Sequence, residues 1–262
     1  MNKQYTDKNI IVHTGQSAEA LLNTKNDSIY IENGEILRVD MDRWREAQFY
    51  ERKTWMEQCL MLNDDRNYDH YRNFNSYHPI VEYDRGYPIK NIIELGCGPF
   101  TNLRTMLHYL NPVEVHLLDP LLSSYLNHPN CSYKNNKMGG YDIKTHSIPI
   151  EEFNPDVKFD LVIMNNVLEH CYNIETIFDK IYECLNIGGL FVFGDVFFMK
   201  RDIIELSNIL YDSGHPLRLS KEYMDERLSQ YEPIFDKEIH TPAPGLHPDY
   251  ARHEKYFIGI KK

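Results

Sequence analysis

Between residues 91 and 198 the chain alternates short apolar runs with stretches of helical period, and this alternation restricts the fold more than any other feature. Apolar strands are expected at 91–95, 113–118, 159–164 and 190–197. Between them lie helical patterns at 101–110, with Leu103, Met106, Leu107 and Leu110 on one face, and at 174–185, with Ile177, Phe178 and Ile181 together. Strands separated by helices imply right-handed crossovers and an α/β, doubly wound, mostly parallel sheet. Ligands of such sheets sit beyond the carboxyl ends of the strands.

The flanks have a different texture. Residues 1–90 form an N-terminal extension that is polar and aromatic. Apolar runs at 28–31 and 35–39 around Glu32-Asn33-Gly34 predict a β-hairpin. A helix follows, with Asp42 as the expected N-cap and with Trp44, Ala47, Gln48, Glu51, Trp55 and Cys59 at helical spacings. The run 63–87 is too aromatic for a linker and reads as a lid or substrate-facing segment. Residues 91–262 are expected to form the ligand-binding core. Its C-terminal part holds helical patterns at 201–211 and 221–230 and strand-like runs near 231–240 and 254–261 that would make an antiparallel edge.

Charge narrows the partners. With 28 basic and 39 acidic residues the net charge is −11. That argues against nucleic acid, whose binding needs clustered cations. The longest apolar run, 190–199, is half a bilayer span and contains Asp195, so no membrane insertion is expected. Residues 1–9 lack an apolar signal core. Five scattered cysteines without a CxxC pair read as reduced thiols, and a cytoplasmic location is expected.

The first strand of the core runs into Glu94-Leu95-Gly96-Cys97-Gly98-Pro99-Phe100. Glycines allow a tight turn and close approach of a ligand, although a lone GxG also occurs in many plain turns. Asp119, at the end of the next strand, lies 21 residues beyond Gly98, where a ribose diol would be held. A dinucleotide fingerprint needs glycine at 101, and this chain has Thr101. Glu94 would repel a pyrophosphate but suits a cationic, amino-acid-bearing ligand.

Here the chain resembles the class I S-adenosylmethionine (SAM)-dependent methyltransferases, over residues 91–198. The resemblance rests on Ile93-Glu94-Leu95-Gly96-Cys97-Gly98-Pro99, on Leu118-Asp119-Pro120, on 159–163 running into Val167-Leu168-Glu169-His170, and on 184–190 with Gly188-Gly189. It implies a seven-stranded Rossmann-like sheet, Gly96 and Gly98 facing the methionine part of SAM, and Asp119 holding its ribose. Cofactor contacts are expected at Glu94, Gly96, Gly98, Asp119, Pro120, Ser147, Ile148 and Asn165. An acidic residue frequent near the adenine is replaced by Lys144-Thr145-His146-Ser147, and Phe100 stands where a third glycine is frequent.

Asn165-Asn166-Val167-Leu168-Glu169-His170 follows the strand 159–164. Three roles stay open for it. Glu169 and His170 could be structural; His170 could be a general base, with Glu169 beside it; or Asn166, Glu169, His170 and His215 could hold a divalent ion. The last rests on resemblance to the ExxEH motif of metal-dependent small-RNA 2′-O-methyltransferases and to a similar segment of quinone-biosynthesis enzymes, with Asn166 in place of the first Glu and His247 or His253 as substitutes for His215. Oxygen and nitrogen ligands would suit Mg²⁺, Mn²⁺ or Fe²⁺.

The helix from Trp44 to Gln48 and the stretch from His215 to Ser220 resemble methyltransferases of bacterial surface-polysaccharide and sugar modification. The expected reaction is therefore O-methylation of a sugar or nucleotide-activated sugar, metal-assisted. Arg201, Arg218, Lys221 or Arg252 are candidates for phosphates, and Tyr68, Tyr71, Tyr77 and Tyr83 for the acceptor pocket. A homodimer is possible. The alternatives are a metal-independent small-molecule methyltransferase with His170 as base, an NAD-linked sugar oxidoreductase or epimerase, and a silent SAM-binding subunit.

Overall fold

The computed structural model describes residues 10–13, 29–61, 66–206, 214–245 and 247–262. The start of the expected hairpin at residue 28, part of the 63–87 segment and the end of the 201–211 pattern lie outside the described residues.

The strands in chain order are β1 (Ile10–His13), β2 (Ile29–Glu32), β3 (Ile36–Val39), β4 (Asn91–Leu95), β5 (Glu114–Leu118), β6 (Lys137–Met138), β7 (Tyr141–His146), β8 (Phe159–Asn165), β9 (Leu185–Phe197), β10 (Arg218–Leu219), β11 (Tyr231–Pro242) and β12 (Ala251–Lys261). The α-helices are α1 (Met41–Lys53), α2 (Asn67–Asn73), α3 (His78–Asp84), α4 (Leu103–Met106), α5 (Leu122–Tyr125), α6 (Ile174–Cys184), α7 (Lys200–Glu205) and α8 (Lys221–Leu228).

The main sheet has the order β11-β12-β9-β8-β4-β5-β7-β6. The five strands from β9 to β7 are parallel, and β12 and β11 add an antiparallel hairpin at one edge. The doubly wound α/β sheet is thus present. The expected seven strands are all there, and an eighth, the two-residue β6, pairs antiparallel with β7 at the other edge. β8 is buried at every position, as a central parallel strand covered on both faces must be.

A smaller sheet joins β1, β2, β3 and β10. β2 and β3 form the expected antiparallel hairpin, turning at Asn33 and Gly34, both with positive φ. β10 pairs with β3 through Arg218↔Leu37, so the chain after β9 returns to the N-terminal extension. The extension shares the core: Ile36 packs with the buried residues of β8 and β9, and Phe74, Tyr77 and Ile80 pack with those of β4 and β5.

The N-cap of α1 is Asp40 rather than Asp42: the Asp40 carboxylate accepts from the Arg43 N–H at 2.9 Å, while Asp42 lies inside the first turn and pairs with Arg45. Beyond Lys53 the helix widens into a π-turn, Thr54–Gln58. The helical pattern expected over 101–110 narrows to α4 and flanking turns. Among the described residues no helix is long and apolar enough to cross a membrane.

Candidate active site

The loop after β4 is built by Glu94. Its buried carboxylate accepts the Thr101 hydroxyl, the Asn102 N–H at 3.0 Å, the Asn102 side-chain amide at 2.8 Å and the Leu103 N–H at 3.1 Å. Those bonds tie the strand end to the first turn of α4 and occupy both carboxylate oxygens. Gly96 and Gly98 adopt positive φ of 68° and 55°. A side chain at Gly96 would strike Val167 at 2.3 Å, whereas the space over Gly98 is open.

Asp119 faces this loop. One carboxylate oxygen accepts from the Gly98 N–H at 3.1 Å and the other from the Leu121 N–H at 2.8 Å. Burial raises its pKa to about 7, against the lowering effect of those two N–H groups; Glu51 and Glu94 add repulsion. An apolar, buried position of this kind leaves the carboxylate in want of hydrogen-bond donors or positive charge.

The turn after β8 is held from three sides. Asp195, on β9, accepts from the N–H groups of Val167 and Leu168 at 2.9 and 2.7 Å. Arg218 pairs with the Glu169 carboxylate, and the Leu217 N–H donates to the Glu169 carbonyl at 3.1 Å. Trp44 Nε1 and Gln48 Nε2, one turn apart on α1, donate to the His170 carbonyl at 2.8 and 3.0 Å.

The His170 ring has a defined tautomer. Nδ1 lies 3.0 Å from the Gly214 carbonyl, which only accepts, so Nδ1 carries the hydrogen and Nε2 offers a lone pair. Burial lowers the pKa of this imidazole and keeps it neutral, with Glu51, 3.9 Å away, pulling it upward. The His215 ring lies 4.5 Å from it, centroid to centroid.

These groups surround one cavity of about 310 Å³ at the carboxyl ends of β4, β5 and β8. Of the residues singled out from sequence, Gly96, Gly98, Asp119, Pro120, Asn165, Asn166, Glu169, His170 and His215 all line it. Glu94, Ser147 and Ile148 do not: Glu94 is spent inside the loop, the Ser147 hydroxyl bonds that of Ser123 at 2.9 Å, and the neighbours Pro149 and Ile150 supply that part of the wall.

The divalent-metal set does not fit. Among the described residues no group of three or more His, Cys, Asp or Glu side chains could hold a metal ion. Glu169 is neutralised by Arg218, and Asn166 supplies no charge. His253, offered as a substitute, pairs instead with His240, Nδ1 to Nδ1 at 2.6 Å.

The tyrosine wall is also placed elsewhere. Tyr77 is buried in the core, Tyr71 packs against it, the Tyr83 hydroxyl donates to the Gly188 carbonyl at 2.6 Å, and Tyr68 lies exposed under Arg104. Trp44, Trp55 and Phe100 supply the aromatic surface instead, with Trp55 and Phe100 edge to face at 5.8 Å. Of the proposed phosphate cations only Arg252 lines the cavity, and it pairs with Glu254 at 3.3 Å; Arg218, Lys221 and Arg201 are held by Glu169, Asp225 and Asp202. Sequence reasoning put Trp44, Gln48, Glu51 and Trp55 on a helix without assigning them to the site. Their spacing places them on one face, but nothing local says what that face covers.

Residues 93–191 match the family model described as a methyltransferase domain. No curated protein matches the chain. Among solved structures the fold is similar to the N-methyltransferase NodS of Bradyrhizobium japonicum in complex with S-adenosyl-L-homocysteine (SAH), at 13% identity and TM-score 0.56, covering 81% of this chain and 98% of that one. It is also similar to the magnesium protoporphyrin IX methyltransferase of Synechocystis with bound SAM, at 13% identity and TM-score 0.52, covering 84% and 94%. A third similar fold is the 1,6-didemethyltoxoflavin-N1-methyltransferase of Burkholderia thailandensis, at 14% identity and TM-score 0.51, covering 87% and 95%. The match to a methyltransferase domain thus spans the glycine loop, Asp119 and the turn after β8, and the fold is shared with structures that hold SAM or SAH.

Proposed function

We propose that the chain methylates a hydroxyl of a sugar or nucleotide-activated sugar, with His170 as general base and without a metal. The observation that carries this is the neutral imidazole of His170, fixed through Nδ1 so that Nε2 is its free lone pair, in the wall of the same cavity as Asp119 and the glycine loop.

When bound, SAM supplies an electrophilic methyl carried on a positive sulfur. Asp119 would clasp the ribose diol, and the N–H groups and open space around Gly98 admit the cofactor close to the backbone. His170 Nε2 would take the acceptor's hydroxyl proton and so free the oxygen for the methyl that SAM supplies, the leaving group being neutral SAH. Such base assistance contributes about 10²–10⁴-fold. The rest is alignment, with the oxygen held at roughly 3 Å from the methyl carbon.

Support for a sugar acceptor comes from the wall itself. Trp44, Trp55 and Phe100 offer ring faces and edges, Gln48, Glu51 and Asn67 offer polar groups, and Arg66 and Arg252 are cations in the same wall for a phosphate. The proposed division of labour gives 91–262 the cofactor, with acceptor contacts shared between 1–90, through Trp44, Gln48, Glu51, Trp55, Arg66 and Asn67, and the C-terminal part, through Arg252.

Titration calorimetry with SAM, followed by transfer of labelled methyl from SAM to a panel of nucleotide sugars with and without chelator, tests the reading. SAM binding that disappears in Asp119→Ala, and transfer that survives chelation and collapses in His170→Gln, is the expected result. Transfer only to amines or carboxylates would overturn the hydroxyl assignment.

A further inference from the structure

The last residue of β8 carries an unexplained polar side chain. Asn165 is 5% exposed, lines the cavity, and has neither Oδ1 nor Nδ2 in a hydrogen bond. Buried amides are nearly always paired, and one left unpaired is costly. The Tyr77 hydroxyl neighbours it, yet no bond of hydrogen-bonding geometry joins the two. Gly194, its partner across β9, makes room for the amide itself: a side chain there would come within 3.1 Å of Asn165 Oδ1 and 3.2 Å of Phe74. An unsatisfied amide in a cavity wall is in want of a ligand atom.

Strand order says which ligand atom. β5, β4 and β8 are consecutive neighbours and end in Asp119, the glycine loop and Asn165. Adjacent strands lie about 4.8 Å apart, so Asn165 stands roughly 10 Å from the β5 end. A donor with its ribose at Asp119 places its sulfur, one carbon from the ribose ring, over β4. Its reacting end would then lie toward the β8 side, where Asn165, His70 and His170 line the cavity.

We propose that the Asn165 side chain grips the acceptor's attacking heteroatom rather than the cofactor. This rests on the methyl-donor reading above. With an alcohol, Nδ2 donates to the oxygen and fixes one lone pair. The other lone pair faces the methyl carbon, and the hydroxyl hydrogen is left to His170 Nε2. With an amine, Oδ1 accepts one N–H instead and leaves the nitrogen lone pair to face the methyl carbon. The amide thereby specifies a nitrogen or oxygen nucleophile and gives no help to a carbon one.

Sinefungin tests this without knowledge of the natural acceptor, because its amine stands where the transferred methyl and the approaching nucleophile meet, while SAH ends at sulfur. The experiment measures both affinities by calorimetry for the full chain, Asn165→Leu and Asn165→Asp. Asn165→Leu is expected to hold SAH within about twofold of wild type and to weaken sinefungin about tenfold, and Asn165→Asp to tighten sinefungin relative to SAH by about tenfold. Equal loss of both ligands in Asn165→Leu would make Asn165 a cofactor contact and overturn the proposal. Should Asn165→Leu not fold, the near-isosteric Asn165→Asp decides: a sinefungin-to-SAH ratio equal to wild type overturns it. Wild-type protein that binds neither SAM nor SAH overturns the methyl-donor reading itself, a result distinct from a changed ratio.

Discussion

The indole nitrogen of Trp44 donates to the backbone carbonyl of His170 across 2.8 Å, linking residues 126 positions apart. A helix of the N-terminal extension thus fixes the turn that carries the proposed base. Gln48, one turn on, repeats the bond at 3.0 Å. Trp44→Phe keeps the ring and its edge-to-face contact with Tyr172 but deletes the donor. The expected cost is about 1 kcal/mol of stability, since Gln48 still satisfies the carbonyl. A larger effect is expected on turnover, because a small displacement of a catalytic group is expensive. Thermal unfolding beside single-turnover methyl transfer checks it; parallel losses in the two would show that Trp44 only packs.

Asp119 sets function against stability. Burial raises its pKa to about 7, while the unfolded chain titrates near the ordinary value of 3.8. Between those values the fold holds a proton that the unfolded chain has shed. Raising the pH through 7 strips that proton and leaves a buried charge, so the ligand-free protein loses stability over that window. Asp119→Asn is therefore expected to unfold at higher temperature at pH 7.5, by roughly 1 kcal/mol or about 2–4 °C, while losing SAM binding. Denaturation scans at pH 5.5 and 7.5 test the sign. An unchanged difference between the variants at the two pH values would sink it.

Much of this was legible in the sequence, because it follows from local rules. Strand ends, the hairpin turn at Asn33-Gly34 and the carboxylate at 119 are written in periodicity and spacing. What was not legible depends on partners distant in the chain. Glu94 reads as a ligand for a cation until Thr101, Asn102 and Leu103 are seen to use it from within the loop. Glu169 reads as a metal ligand until Arg218, 49 residues on, is brought to it by β10 pairing with β3. Tyr77 reads as acceptor wall until the packing of Phe74 and Tyr71 against it is known. Asp40 and Asp42 differ as caps only through where the helix begins.

The ion pair between Glu169 and Arg218 makes a prediction about metals. Both partners are largely buried, and removing one leaves the other uncompensated. Arg218→Met is expected to cost about 3–5 kcal/mol, Glu169→Gln less because an amide can still accept from the guanidinium, and chelators nothing in any variant. Mn²⁺ or Fe²⁺ that stimulates wild-type activity severalfold, with the effect lost in Glu169→Gln, would restore the metal reading.

Gly96 is the position where the backbone leaves no choice. Its φ of 68° is one that side chains rarely tolerate, and a Cβ there would sit 2.3 and 2.4 Å from the two methyl carbons of Val167. Val167 is itself held, its N–H bonded to Asp195 at 2.9 Å. Gly96→Ala must therefore push the turn after β8 away from the glycine loop, by the strain of the dihedral and by direct overlap, at an expected cost of about 2–4 kcal/mol. Shortening Val167 relieves only part of the overlap, since its Cβ would remain at 2.9 Å. The double variant Gly96→Ala with Val167→Ala should recover part of the stability beyond what the separate changes predict, a coupling of about 1 kcal/mol. Additive effects in denaturant unfolding would mean that the two loops are not in contact as described. Gly98, with open space over it and φ of 55°, should instead lose SAM affinity more than stability when changed to Ala, because its missing side chain leaves room for the ligand and not for a neighbour.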